Sequence, residues 1–401
     1  MKAPGYDVGI VGGGIIGLSV ARELTYTHPG IAAAIFDKED QVATHQTGHS
    51  SGVIHSGLYY RPGSLKARLA VDGAKQMYQL VEEAGIPYSR SGKLVIATHP
   101  SEIPALDELE RRGHANGLSG LARIGPEDIA EIEPAATGIA ALHVPEAGVT
   151  DFSQVAGHLA GQLAAEGAAV HLGHRVTRID QRSDRVDVVA NESLFSCRVL
   201  VNCAGLHSDR VAALADVDGG VQIIPFRGEY YILSGPPAAS IRALIYPVPD
   251  PRYPFLGVHF TRGVGGSVEV GPNALLALGR EQYRGRGPTW GDLGEMLTYP
   301  GFWRLAGKNL PAGARELVSR SRGLYARQAR RLVPSVRRSH LVHGGAGIRA
   351  QAVDRRGRLV DDFVIETSGS TVHVLNAPSP GGTASLAIGR YVADLVTPLF
   401  S

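Results

Sequence analysis

The sequence predicts an α/β protein (α+β across two domains): a Rossmann-type half on parallel strands and a second half with a mixed or antiparallel sheet. Three observations carry that prediction. Tyr6 to Val20, YDVGIVGGGIIGLSV, runs from an apolar strand through a G-x-G-x-x-G into a helix. A second apolar run, Ile31 to Phe36, ends in Asp37, twenty residues beyond Gly17. Val221 to Leu233 and Ala243 to Val270 are rich in β-branched and aromatic residues and are broken by Ser-Gly-Pro-Pro and glycine turns, which is the pattern of antiparallel strands.

Each part of the first motif has a physical task. Gly12 permits a tight turn, Gly14 lets the backbone approach a pyrophosphate, and Gly17 lets the helix lie close to the strand. The helix N-terminus presents free N–H groups and a positive dipole end to phosphates. Asp37 stands where a carboxylate would hold a ribose hydroxyl. Strand, glycine loop, helix, second strand and acid in that order point to a dinucleotide site.

The rest of the chain follows in order. Gln46 to Gly57 is small, polar and glycine-rich, a pocket loop after the second strand. Ser64 is placed to cap a helix from Leu65 to Ala84 that Gly85 stops. Lys93 to Thr98 reads as a strand, Glu102 to Asn116 as an exposed helix, and Ile139 to Val144 as a strand. Asp151 to Gly167 reads as a helix, followed by strands at 168–173, 175–179 and 186–190. Arg198 to Cys203 is a buried strand that meets Ala204-Gly205 and a helix from Ser208 to Leu214, a second strand-to-glycine-to-helix junction. Glu295 to Val333 reads as helical and basic, and the chain returns to α/β character with a strand at Thr371 to Asn376 and a helix from Ala384 to Val396. The expected division is a discontinuous nucleotide domain from 1–90, 146–220 and 341–401. The substrate domain takes 91–145 and 221–340, with the basic helical segment at 295–333.

Composition narrows the function. With 401 residues, 44% hydrophobic and 19% charged, the chain can build two cores and is not disordered. A net charge of +2 gives no argument for nucleic acid, and no nucleic-acid partner is expected. Cys197 and Cys203 lack metal-ligand spacing and are read as packing residues of a reducing compartment, and no metal site is expected. Met1 to Tyr6 carries one lysine before the first strand and no apolar stretch reaches membrane-span length, so a cytoplasmic location is expected.

A longer set of motifs carries a resemblance. HSSGVIHSGLYYRPGSLKARLAVDGA, SGKLVIAT, VNCAGLHSDR, IIPFRGEYY, IYPVPDPRYPFLGVHFTR, VGPNALLAL, GIRAQAVD and NAPSP together resemble the L-2-hydroxyglutarate oxidase/dehydrogenase family, within the D-amino-acid-oxidase and glycine-oxidase-like flavoproteins. The likeness runs from Tyr6 to Leu395 and departs from the family at Gly381-Gly382, where two alanines are usual, and at Asp37, where glutamate is common. The resemblance implies non-covalent FAD. It places the cofactor against Gly12, Gly14, Ile16, Gly17, Asp37, Lys38, Thr47, Ser50, Ser51, Gly52, Val176, Ala204, Gly205, Gly347, Gly381, Gly382 and Thr383. It also implies oxidation of L-2-hydroxyglutarate to 2-oxoglutarate. Two alternatives remain: an amine or amino-acid oxidase of the glycine or sarcosine type, and a non-catalytic flavin-binding sensor.

Oxidising a 2-hydroxy acid requires loss of the C2 hydride to the flavin and removal of the hydroxyl proton. A histidine suits the base, and His55, in the pocket loop where the resemblance places the flavin ring, is the candidate. A dicarboxylate needs fixed donors, and arginine offers a bidentate fork. The candidates are Arg227, His259, Arg262 and Arg349, with Tyr60 and Tyr230 to close the pocket. Lys66 is read as a solvated lysine.

Residues 301–340 hold ten basic residues and one acid, Glu316. Leucines are interleaved with them, and both tryptophans of the chain, Trp290 and Trp303, stand near the start. Three roles suit such a segment: packing on the substrate sheet, a partner interface, or reversible docking on an anionic membrane at its cytoplasmic face. The electron acceptor is expected to be oxygen or a membrane quinone.

Overall fold

The computed structural model describes residues 4–250, 256–285, 287–308 and 321–400. β1 (Gly5–Val11) leads into α1 (Ile15–Thr27), and β2 (Ala33–Phe36) follows. α2 (Leu65–Glu83) begins at Ser64, whose hydroxyl accepts from the Ala67 N–H, and ends before Gly85. Next come β3 (Lys93–Ala97), α3 (Ile103–Ala115), β4 (Ala140–Val144) and α4 (Phe152–Ala165), the last capped by Asp151. β5 (Ala169–His171), β6 (Val176–Gln181), β7 (Val186–Ala190), β8 (Ser193–Asn202) and α5 (Ser208–Leu214) complete the first half of the chain. The second half contains β9 (Val221–Leu233), β10 (Leu244–Pro247), β11 (His259–Arg262), β12 (Val268–Gly271), α6 (Trp290–Thr298), α7 (Arg322–Ala329), β13 (Leu341–Asp354), β14 (Val364–Ser368), β15 (Thr371–Asn376) and α8 (Ser385–Val396).

Two large sheets organise these elements. In the first, β5, β2, β1, β8 and β15 lie side by side in parallel, and the β6–β7 hairpin continues from the other half of β8. The central parallel strands are buried on both faces, so β2 reads as a continuous apolar run and every residue of β15 is buried. α1 lies close to β1 because Gly17 has no side chain: a Cβ there would sit 2.0 Å from the Gly12 carbonyl oxygen. α8 packs on α1 through Gly389, whose Cβ would meet the Ser19 carbonyl at 2.6 Å.

The second sheet runs β9, β12, β11, β10, β3, β4 in order, with β13 along the other side of β9. Segments 91–145 and 221–340 thus contribute strands to one sheet. β13, which the sequence grouped with the nucleotide half, is hydrogen-bonded along nearly all of β9 in this second sheet. A small sheet joins the two halves: Val53–Ile54 and Tyr88–Ser89 both pair with Gly148–Thr150.

The expected single helix over 295–333 is not what forms. α6 ends at Thr298, a separate helix covers 300–308, and α7 covers only Arg322–Ala329. Tyr325, Ala326, Ala329, Leu332 and Val333 are buried against Phe260 and Val268 on the outer face of the second sheet. The expectations for Leu310, Arg315, Leu317, Val318 and Arg320 fall outside the described residues. No described helix is long and apolar enough to cross a membrane.

Candidate functional site

A cavity of about 620 Å³ runs from the N-terminus of α1 to the inner face of the second sheet, within the size range of small-molecule sites. At one end lies the glycine turn. Gly12 has φ +114°, a conformation open to glycine, and a Cβ would lie 2.4 Å from the Cys203 carbonyl oxygen. At Gly14, by contrast, a Cβ would meet only the Thr47 hydroxyl, at 3.5 Å, so the space above it belongs to the cavity. The Thr47 hydroxyl accepts from the Ile15 N–H at 3.2 Å. The Asp37 carboxylate accepts from the Gly13 N–H at 2.6 Å and the Glu39 N–H at 2.9 Å, and a carboxylate keeps lone pairs beyond those two.

The cavity wall also carries Ile16, Lys38, Ser50, Ser51, Gly52, Val176, Ala204, Gly205, Gly347, Gly381, Gly382 and Thr383. Of the expected cofactor contacts only Gly17 stands back from it; its place is between α1 and the Gly12 carbonyl. Cys203 lines the cavity too, but burial pushes the Cys203 and Cys197 thiols up to about 12, which leaves neither a ready nucleophile.

A strap from the second half, residues 280–285, is tied to side chains that line the cavity. Arg280 is 2% exposed and reaches Asp209 at 2.8 Å. Glu281 receives Lys38 at 2.7 Å and His207 at 2.6 Å. Burial pulls the Glu281 carboxyl up, and the hydrogen bonds from His207 and Lys38 outweigh it and hold the carboxyl well below the usual range. Tyr283 stacks on His49 with ring centres 3.8 Å apart. Arg227, expected at the substrate, lines the cavity but donates to the carbonyls of Gln282 and Gly285, the latter at 2.9 Å, so it fastens this strap.

At the other end the cavity meets His55, Tyr230, His259 and Arg349. His55 is held through its backbone: its N–H donates to the Thr383 hydroxyl at 3.1 Å, and that hydroxyl donates to the Val53 carbonyl at 3.1 Å. Burial, then the charges of Lys93, His259, Lys66 and Arg349, pushes the His55 imidazole well below its usual range, so it is neutral near pH 7. Its Nδ1 is buried without a hydrogen-bond partner among the described residues. His259 stacks on Tyr246 at 4.0 Å, and its Nδ1 donates to the Gly257 carbonyl at 2.8 Å, which leaves Nε2 as the acceptor. Burial lowers His259 to about 4 and raises the Tyr230 phenol to about 12. Arg349 is also lowered by burial, against Tyr230, Tyr60 and Asp361.

Two expected substrate residues are elsewhere. Arg262 lies three positions from His259 on β11 and so faces the opposite side of the sheet, where it donates to the Ile241 carbonyl at 2.8 Å. Tyr60 does not line the cavity; its ring lies under the Lys66 ammonium at 4.9 Å. Lys66 is not solvated. It is 6% exposed and paired with Asp361 at 2.9 Å. Sequence reasoning also missed Lys93, which is buried beside this cluster, and the strap residues. A lysine inside a strand pattern carries no local sign of its burial.

Comparisons with known proteins identify the family and the fold. A family profile described as FAD dependent oxidoreductase matches residues 7–395. L-2-hydroxyglutarate dehydrogenase of Indibacter alkaliphilus is 44% identical over 391 residues, covering 97% of this chain and 98% of the relative. The mitochondrial L-2-hydroxyglutarate dehydrogenase of Homo sapiens is 40% identical, covering 98% and 89%. Among solved structures, the FAD-bound L-alpha-glycerophosphate oxidase of Mycoplasma pneumoniae superposes with a TM-score of 0.80 at 22% identity, covering 99% of this chain and 95% of that one. Glycine oxidase of Geobacillus kaustophilus gives 0.73 at 20%, covering 98% and 95%. These two likenesses concern the fold.

Proposed function

The chain belongs to the FAD-dependent oxidoreductases, in the family of the L-2-hydroxyglutarate dehydrogenases, and from that premise we propose that it oxidises L-2-hydroxyglutarate to 2-oxoglutarate. The observation that carries the reading is His55 at one end of the cavity, held neutral with its Nδ1 buried, and with Arg349 and other cations around it. The residues fit FAD. The turn at Gly12 and the open space over Gly14 suit the pyrophosphate, and Asp37 suits the adenosine ribose. The loop from Gly381 to Thr383, ahead of α8, lines the same cavity as His55 and would border the ring system.

Bound FAD supplies the acceptor for the C2 hydride. The chain's own residues do the rest. His55 takes the hydroxyl proton on the neutral imidazole, and Thr383 fixes the backbone that carries it. Arg349 holds a substrate carboxylate, with the Tyr230 hydroxyl as a second donor, and His259 Nε2 is left to accept from a hydroxyl. Fixing the carboxylates and C2 against one face of the ring selects one enantiomer.

Anaerobic mixing of the purified yellow protein with 2-hydroxy acids and amino acids tests the reading. L-2-hydroxyglutarate is expected to bleach the flavin and the D-enantiomer to leave it oxidised. Faster bleaching by glycine, sarcosine or L-proline would move the assignment to an amine oxidase. No bleaching by any substrate would leave a flavin-binding sensor.

A second reading concerns where electrons go. Trp290 is 77% exposed and Trp303 59%, and Arg304 and Lys308 lie on the same 300–308 helix as Trp303 or continue it. Interfacial tryptophans beside basic side chains suit an anionic membrane surface, and docking there brings the flavin toward a quinone. The prediction is salt-sensitive co-sedimentation with anionic vesicles, lost in a Trp290→Ser, Trp303→Ser double variant. No binding at low salt, with rapid reoxidation by oxygen, would leave oxygen as the acceptor.

A further inference from the structure

We propose that Lys93 anchors the substrate carboxylate remote from the reacting carbon and is therefore the residue that makes this site prefer dicarboxylates. The inference rests on the hydroxy-acid reading above. Lys93 opens β3 and stands beside Leu244 of β10. Its side chain begins a row on one face of the second sheet, Lys93, Tyr246, His259. The ammonium lies 4.4 Å from the Tyr246 ring centre, and Tyr246 stacks on His259, which lines the cavity. The Tyr59 ring covers the ammonium from the pocket loop at 5.2 Å.

Lys93 is 1% exposed, and among the described residues no carboxylate and no hydrogen-bond acceptor meets its ammonium. Two aromatic faces compensate only part of what burying an unpaired ammonium costs. Lys66 shows the contrast: it is also buried, but Asp361 neutralises it. The Tyr59 hydroxyl and His55 Nδ1 are buried without partners as well. Lys93 and Tyr246 stand behind His259 rather than in the cavity wall, and one carboxylate reaching past His259 gives this volume the acceptor and the negative charge that it lacks.

Two cations beside one base suit a dicarboxylate. Lys93 and Arg349 both act on His55. With one carboxylate at Arg349 and the other at Lys93, the carbon between them bearing the hydroxyl lies beside the base. Burial lowers Lys93 to about 7, so a carboxylate that binds there raises it again and draws in a proton.

The test uses the FAD-loaded protein and its Lys93→Met and Lys93→Gln variants. Flavin reduction is followed with L-2-hydroxyglutarate and with L-2-hydroxybutyrate, which lacks the second carboxylate. Binding of glutarate and butyrate is followed by perturbation of the flavin spectrum. The variants are expected to lose about 30-fold or more in kcat/KM for L-2-hydroxyglutarate and in glutarate affinity, with less than about threefold change for the monocarboxylates. Equal losses for both classes, or no loss, would overturn the proposal. If neither variant folds, calorimetry on the wild type at pH 8 in two buffers decides: glutarate is expected to take up a proton that butyrate does not, and equal uptake overturns the proposal. Glutarate binding that depends on Lys93 in a protein that does not oxidise L-2-hydroxyglutarate would sink the functional reading and keep the anchor.

Discussion

Single atoms separate two glycines that look alike in the motif. At Gly17 a Cβ would strike the Gly12 carbonyl at 2.0 Å, so Gly17→Val is expected to prevent α1 from docking and to yield insoluble chain. At Gly14 the nearest protein atom is 3.5 Å away. Gly14→Val is therefore expected to fold and to purify colourless, because the added methyls fill the approach to the pyrophosphate. Circular dichroism and the visible spectrum distinguish the two outcomes. His55→Ala is expected to keep the flavin and slow its reduction by about 10²–10⁴-fold. The pH dependence follows in sign. The base works when deprotonated, and burial with nearby cations holds His55 below its usual 6.5, so reduction stays level above that pH and falls only on the acid side. An acid limb centred above 6.5 would contradict the assignment.

Elements place these atoms, and two ties between elements matter most. Thr383→Val removes the hydroxyl that bridges Val53 and His55, leaving a buried carbonyl and N–H unpaired, at a cost of about 1–3 kcal/mol. Flavin reduction should slow with it. Arg280→Met leaves Asp209 without its buried partner, and is expected to lower stability by about 3–5 kcal/mol in denaturant titration and to loosen the strap. Elements with clean periodicity were legible in the sequence: Val186–Ala190, Ser208–Leu214, Val221–Leu233 and Thr371–Asn376 form where expected. β13 was not legible, because Gly344, Gly345 and Gly347 dilute its alternation. Those glycines admit close neighbours: a Cβ at Gly344 would lie 2.9 Å from the Tyr230 carbonyl oxygen, and one at Gly347 2.8 Å from that of His49. Arg262 failed on strand parity, which places it opposite His259. Lys66 and Lys93 failed because burial of a lysine is decided by distant residues, Asp361 for one and Tyr59 and Tyr246 for the other.

At the scale of the molecule, buried cationic groups set a pH dependence of stability. His259 and His373 are held at about 4 by burial, and His55 is also held low. Unfolded histidine titrates near 6.5, so between about 6.5 and 4 the unfolded chain binds protons that the folded chain refuses. Their contribution is complete above 6.5 and is lost as pH falls toward 4. Lys93 acts with the same sign between its ordinary 10.5 and about 7. The melting temperature is expected to fall steadily from pH 7 to pH 4.5, and less steeply in a His259→Phe, His373→Phe variant.

The tie between Thr383 and His55 spans 328 positions of sequence. Protein synthesis runs in one direction, so the ribosome releases the base long before it makes the hydroxyl that fixes it. β8 likewise waits for β15, and α1 for α8. A nascent chain stalled anywhere before Thr371 holds an unfinished parallel sheet and an unplaced imidazole. Nonsense mutations ahead of the α8 codons should therefore be as damaging as early ones, and arrested chains are expected to stay protease-sensitive until α8 leaves the exit tunnel.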